Sequence, residues 1–502
     1  MRLRFDSQLR FQLDAVKAMV DLFCGSQQPL DGRQLLTNLR HVQLRNGITE
    51  DNELSSMDFS VEMETGTGKT YVYLRTIYEL FSRIGWSRFV IVVPSVAIRE
   101  GVLKNIEVTR EHFFGLYGVH LEARLYDSSK LSALRAFGEE RGIQVLIINI
   151  DAFNKEGTNL IHRVDDRLLG RRPIDLIQRC RPVLIVDEPQ NLESGRARQA
   201  LASLKPSVTL RYSATHRFPY HLVYRLDPPR AYELGLVKGI DVCTVVDERQ
   251  PYLELRELIP GPRATFVIDK QTAQGPARKT MKVGRVGIDL AQKTGRSEYQ
   301  GFCVDWMDAR RQQVAFTNGV LMKVGDVHGP RPAQVMEAQV QETVRLHLEK
   351  ELALVGRHPR IKVLSLFFID RVANYVEEEG PIRCAFASAY AELGGHRRYK
   401  NLNLPGLDEV HGGYFACHRG LPKDTRGRNK ADADAYSLIM RDKERLLGPD
   451  EPLRFIFSHS ALREGWDNPN VFQVCTLASS MSELKKRQEI GRGLRLAVGE
   501  DG

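Results

Sequence analysis

Apolar and polar positions follow two rhythms along this chain, and the rhythm changes where the architecture is expected to change. Within residues 5–24, "FQLDAVKAMVDLF" sets apolar side chains at helical spacing until "CGSQQPLDGR" breaks the pattern. From residue 57 to about 238 the text becomes strand, turn and helix in repetition. Its strands are short β-branched runs: "FVIVVP" (89–94), "VLIINI" (145–150), "PVLIVDE" (182–188) and "TLRYSAT" (209–215). Runs that are apolar on both faces, separated by helical segments, predict a parallel sheet covered on each side. A second stretch of this kind starts at "IKVLSLFFID" (361–370) and continues through "RFIFSHSA" (454–461) and "VFQVCTL" (471–477). Between the two, "RATFVIDK", "GFCVDWM" and "VAFTNGVLMKVGD" read as hairpin strands with Asn-Gly and Gly-Asp turns. Residues 332–355 read as a helix entering the second sheet. The predicted fold class is α/β: a parallel-sheet domain over 1–238, a β-rich insert over 239–335 and a second parallel-sheet domain over 336–502.

Composition narrows the partners. The 502 residues suffice for several cores, with 42% hydrophobic and 27% charged side chains. No run approaches the length of a membrane span, and "MRLRFDSQLRF" has no signal-peptide pattern. The 7 cysteines form no CxxC pair, which speaks against a zinc site or a disulfide framework and predicts a reducing, cytoplasmic setting. A formal charge of +9 suits a polyanionic partner.

The sharpest chemical signal is "FSVEMETGTGKT" (59–70), a strand running into a Gly-rich turn. In a turn built from Thr65, Gly66, Thr67 and Gly68, backbone N–H groups can curl around phosphate oxygens. Lys69 can then reach the β- and γ-phosphates, and Thr70 offers a hydroxyl to Mg²⁺ at a helix N-terminus. The strict pattern places Gly where Met63 stands. "LIVDEPQ" (184–190) ends an apolar strand in two carboxylates; Asp187 would hold Mg²⁺ through water and Glu188 would orient or deprotonate the attacking water. A buried strand ending in an acidic pair is commonplace by itself and gains meaning only behind a phosphate loop. In "YSATHR" (212–217), Ser213 and Thr215 could tie the acidic motif to the second sheet. Gln12 lies on the first helix, where its carboxamide could meet adenine, although a solvated glutamine would read the same. Near the end, Arg492 and Arg495 stand on what reads as a short helix behind Gln488, spaced to reach a phosphate across a cleft. "LREGWDNPNV" (462–471) adds Asp467, placed to meet ribose.

Taken in order, Gln12, "METGTGKT", "PSVAIREG" (94–101), "DEPQ", "SAT", "REGWDNPN" and "QEIGRGLR" resemble the motifs of a superfamily-2 helicase ATPase, a class that relaxes the glycine replaced by Met63. More narrowly, "YDSSKL", "INIDAFN", "LVYRLDP", "FIFSHSALREGWDNPNVFQ" and "KKRQEIGRGLRL" resemble the Res subunit of type III restriction-modification enzymes. The resemblance implies two RecA-like domains with ATP and Mg²⁺ between them, and a pin-like insert. It also implies double-stranded DNA as the track and a Mod methyltransferase subunit as partner. Ser95, Arg99, Asn149 and Asp151, at strand ends of the first domain, are the candidates for holding DNA phosphate and sugar. Members of that family continue into a nuclease domain of Pro-Asp…Glu-x-Lys type, which this sequence does not show, so ATP hydrolysis without DNA cleavage is expected. Two rivals remain at this point: a free-standing superfamily-2 DNA or RNA helicase with no Mod partner, and an inactive assembly module.

Overall fold

The computed structural model describes residues 5–25, 30–128, 131–154, 159–168, 170–243, 251–261, 263–273, 275–329, 332–415, 417–418, 421–422, 443–459, 468–477 and 483–500. The first sheet holds seven strands: β1 (Asp58–Met63), β2 (Arg88–Val93), β3 (Leu121–Leu125), β4 (Ile143–Asn149), β5 (Val183–Asp187), β6 (Val208–Ser213) and β7 (Leu222–Leu226). They run parallel in the order β3-β4-β2-β5-β6-β1-β7. Successive side chains of a strand point to opposite faces, and here both faces are covered. Phe89, Ile91 and Val93 enter one core with Val145, Ile147, Val183 and Ile185. Val90 and Val92 enter the other with Leu146, Ile148, Leu184 and Val186. That double burial is why these strands read as unbroken apolar runs.

The insert is antiparallel. β8 (Leu253–Ile259), β9 (Arg263–Thr272) and β10 (Gly275–Val283) join β14 (Val327–His328) in the order β10-β9-β8-β14. β11 (Val304–Asp308), β12 (Gln313–Phe316) and β13 (Leu321–Lys323) make a second, three-stranded sheet. The turn between β12 and β13 uses Gly319 at φ 82°, the left-handed conformation an Asn-Gly pair supplies. Leu255, Phe266, Ile268, Tyr299, Phe302, Val314 and Phe316 close a core of the insert's own.

The second parallel sheet contains β15 (Leu364–Phe368), β16 (His411–Tyr414), β19 (Phe455–Ser458) and β20 (Val471–Thr476), ordered β16-β19-β15-β20. A two-residue pair, β17 (Cys417–His418) and β18 (Leu421–Pro422), stands apart. The sheet again sends alternate residues to two cores: Phe367, Phe455 and Phe457 to one, Leu366, Phe368 and Ile456 to the other. The helix Pro332–Leu354 leads into it.

Several strands left no clear mark in the sequence. β3 lies at a sheet edge, with one buried residue followed by partly exposed ones. β16 is "HGGY", whose two glycines carry no strand signal. The tail also departs from its expected form. The helix Glu483–Ile490 stops short of both arginines: Arg492 sits on a 3₁₀ turn, Gly491–Gly493, and Arg495 forms an isolated antiparallel bridge with Val237. The flanking glycines explain the break, since each adds backbone entropy that a helix must overcome.

Candidate active site

β1, β6 and β5 are consecutive neighbours, so the loops leaving their carboxyl ends converge on one edge, where open parallel sheets present their chemistry. After β1 the chain turns through Glu64–Gly68 into the helix Lys69–Ile84. Gly66 and Gly68 adopt φ of 88° and 91°, which side-chain-bearing residues rarely do. Glu64, unmarked by sequence reasoning, braces this turn. Its carboxylate accepts from the Thr65 N–H at 2.6 Å, and its carbonyl accepts from the Thr67 hydroxyl at 2.7 Å. Lys69 Nζ bends back to the Met63 carbonyl at 3.3 Å. Thr70 follows on the first turn of the helix.

Gln12 is buried against the same loop. Its Nε2 donates to the Thr67 carbonyl at 3.0 Å, and a Cβ placed on Gly68 would come 2.5 Å from that nitrogen. The first helix is thereby fixed to the phosphate turn through a side chain that sequence alone left between two readings.

Asp187 ends β5 in a fully enclosed position, with the Tyr73 hydroxyl donating to Oδ2 at 3.4 Å. Burial, and next the Glu188 charge, push its carboxyl well above the ordinary range, while the Lys69 ammonium pulls the other way. Glu188 holds φ 54°, ψ 55°, a left-handed conformation unusual for a residue with a side chain. A relay starts at its carboxylate. Gln190 Nε2 donates to Glu188 Oε2 at 2.5 Å, Ser213 Oγ donates to Gln190 Oε1 at 2.8 Å, and the Thr215 N–H donates to Ser213 Oγ at 2.9 Å. Ser213 and Thr215 were expected to tie the acidic motif to the second sheet. Ser213 does bond that motif, through Gln190, and among the described residues these bonds stay within the first sheet, where register pairing sets Asp187 beside Tyr212.

The tail closes onto this edge. A Cβ on Gly491 would stand 3.1 Å from Thr65 Oγ1, and one on Gly66 would stand 2.8 Å from Arg495 Cγ. Leu494 belongs to the first sheet's core, and its carbonyl accepts from the Lys238 N–H at 2.8 Å. Arg492 lies between these two contacts on the 3₁₀ turn. Gln488 is half-buried on the preceding helix, whose Glu489 accepts from the Thr476 hydroxyl at 3.1 Å. Asp467 lies outside the described residues.

The strand-end candidates for DNA separate into two kinds. Ser95 caps the helix Val96–Tyr117 by accepting from the Ile98 N–H at 3.3 Å. Asn149 accepts from the Asp151 N–H at 2.9 Å, and Asp151 accepts from Asn154 at 3.0 Å. Those three side chains shape their own loops. Arg99 alone among the four lines a surface groove of about 800 Å³, with Arg124, Tyr126, Asp127 and Ser128 from the end of β3 and Glu140, which pairs with Arg124; Arg99 itself pairs with Glu100 at 2.9 Å. Arg124 and Tyr126 were not singled out in the sequence, since an edge strand ending in arginine and tyrosine carries no distinctive pattern.

The comparisons with known proteins fall on the same residues. The family "Type III restriction enzyme, res subunit" matches residues 33–218, which include the phosphate loop, Asp187–Glu188 and Ser213–Thr215. The Res subunit of the type III enzyme EcoP15I from Escherichia coli is 31% identical over 96% of this chain. This chain is similar in sequence to type III Res subunits. The Res subunits of EcoPI from Escherichia phage P1 and of StyLTI from Salmonella typhimurium are each 30% identical, over 96% and 92% of the chain. In each case the chain spans about half of the curated relative, 52% of its length. Among the described residues no helix is long and apolar enough to cross a membrane.

Proposed function

We propose that this chain is an ATP-hydrolysing motor acting on double-stranded DNA, in the manner of a type III Res subunit working with a Mod methyltransferase subunit. The observation that carries the reading is the contact between the tail and the phosphate loop: Gly491 against Thr65 and Arg495 against Gly66, with Asp187 and Glu188 on the neighbouring strand ends. In such a pocket the loop amides of residues 65–69 and the Lys69 ammonium receive the triphosphate, and Gln12 borders the adenine. Arg492 and Arg495, approaching from the second sheet, stabilise charge on the transferring phosphoryl group, with Gln488 behind them.

The donor set fits a divalent cation. A hydroxyl at Thr70 and a shielded carboxylate at Asp187, whose charge burial disfavours, form a hard-oxygen site that Mg²⁺ would hold. When bound, Mg²⁺ supplies electrophilic neutralisation of the phosphate oxygens. Glu188, fixed by Gln190, orients the attacking water and takes its proton. Opening and closing of the two sheets around the nucleotide would move DNA, which Arg99 and its groove hold by the backbone, joined by the loops that Ser95, Asn149 and Asp151 shape.

The test is DNA-stimulated ATP hydrolysis by the wild type and by Glu188→Gln. Turnover that rises with duplex DNA and collapses in the variant is the expected result; equal rates end the motor reading. Co-purification with a methyltransferase separates the Res-like assignment from a free-standing helicase.

A further inference from the structure

Where the chain leaves the first sheet, one lysine reaches into the second. Lys238 follows Val237, itself a member of the first sheet's core. Its backbone N–H donates to the Leu494 carbonyl, and Val237 bridges Arg495. Its ammonium donates to the carbonyls of Pro469 at 2.6 Å and Val471 at 2.8 Å, and lies 4.1 Å from the ring centre of Phe472. One residue thus grips the start of β20 with its side chain and the arginine-bearing tail with its backbone.

We infer that Lys238 is a positioning residue, resting on the motor reading above: it clamps the exit from the first sheet to β20 so that Leu494–Arg495 is held against the phosphate loop. The half-buried amine donates to two carbonyls and faces an aromatic ring, so the anchor is geometric: burial, and next the Lys350 charge, lower its pKa to about 7, and its N–H groups donate in either state. Lys350 faces the same ring at 5.1 Å. Gly493 packs beside this anchor, since a Cβ there would lie 3.8 Å from the Val471 carbonyl. Releasing the anchor leaves the bonds from Gln12 to the Thr67 carbonyl and from Lys69 to the Met63 carbonyl in place, since neither involves the tail. Nucleotide capture should therefore survive while the arginines lose their fixed approach.

The experiment compares Lys238→Met with Lys238→Arg. In K238M, ATP turnover at saturating nucleotide should fall about tenfold while KM stays within about twofold, and K238R should recover most of the loss. Amide hydrogen exchange over residues 491–496 should quicken at least about tenfold in K238M without ATP, with the helix Lys69–Ile84 unchanged. Should K238M fail to fold by circular dichroism, K238Q carries the same measurements. Unaltered exchange over 491–496 overturns the clamp whatever the turnover, and so does a rise in KM at constant kcat. Absence of ATP turnover by the wild type would instead sink the motor reading, leaving the exchange result to judge the clamp by itself.

Discussion

Gly66 and Arg495 are packed against one another: a single carbon added to the glycine would meet Cγ of the arginine at 2.8 Å. The phosphate turn and the tail are therefore shaped against one another. Arg495→Ala should lower kcat by about 10³-fold with little change in KM, as expected for a group that meets charge developing in the transition state. Gly66→Ala should impair nucleotide binding as well, because φ 88° strains any side-chain-bearing residue. Steady-state ATPase kinetics with a nucleotide-binding titration check both, and a pure KM effect in R495A would remove that arginine from the chemistry.

The bond from Gln190 to Glu188 fixes a carboxylate on a strained residue. Gln190→Leu deprives Glu188 Oε2 and Ser213 Oγ of the partners they now have. The expected cost is about 1–3 kcal/mol of stability, since buried polar groups lose hydrogen bonds. Chemical denaturation measures it. An unchanged midpoint would show that the relay contributes nothing to the fold.

Gln12 holds the Thr67 carbonyl from the first helix. Gln12→Ala should raise KM for ATP severalfold and leave kcat nearly intact, because the loop loses its brace while Lys69, Glu188 and Arg495 remain. A glutamine acting only as solvated surface would give wild-type kinetics.

Acid should weaken this protein through its buried imidazoles. His216 donates from Nε2 to the Val61 carbonyl at 2.9 Å, and burial lowers its pKa from 6.5 to about 4. The unfolded chain takes up a proton below about pH 6.5 while the folded ring resists until about 4. Stability is thus fully present above 6.5 and is lost as pH falls through that window, by on the order of 2–3 kcal/mol. His411, likewise lowered to about 4 by burial, acts in the same direction. Melting temperatures between pH 4.5 and 8 should show the decline, and His216→Gln, which can donate without titrating, should flatten it.

Arg99 should matter to DNA rather than to ATP. Arg99→Ala is expected to weaken duplex binding and reduce its logarithmic salt slope by about 1, the signature of one lost phosphate contact. Ser95→Ala should act mainly through its helix cap, about 1 kcal/mol of stability. Fluorescence anisotropy across salt concentrations distinguishes the two.

The apolar runs at 89–94, 145–150, 182–188 and 361–370 disclosed their strands because each is buried on both faces, so every position is constrained. β3, β7 and β16 stayed hidden because edge strands and glycine pairs place weak demands on residue type. The Gly-rich turn after β1 was legible for a different reason: φ near 90° strongly favours glycine, so the backbone shape is written directly into composition. Glu64, Gln190 and Lys238 were not legible. Glu64 and Lys238 act on backbone groups, which have no residue type to announce them, and Gln190 acts by joining Glu188 to Ser213 on the neighbouring strand.

Local backbone form and the burial of each segment were therefore legible in sequence alone: which runs become core strands, which turn needs glycine, which carboxylates end a strand. Tertiary structure decided which of these meet. Register brought Ser213 to Gln190, and the packing of Leu494 into the first sheet's core brought Arg495 to Gly66. The physical reason is range. Backbone conformation and hydrophobic period are set by neighbours in the chain, whereas a contact across hundreds of residues depends on how whole sheets stack, and no single segment encodes that.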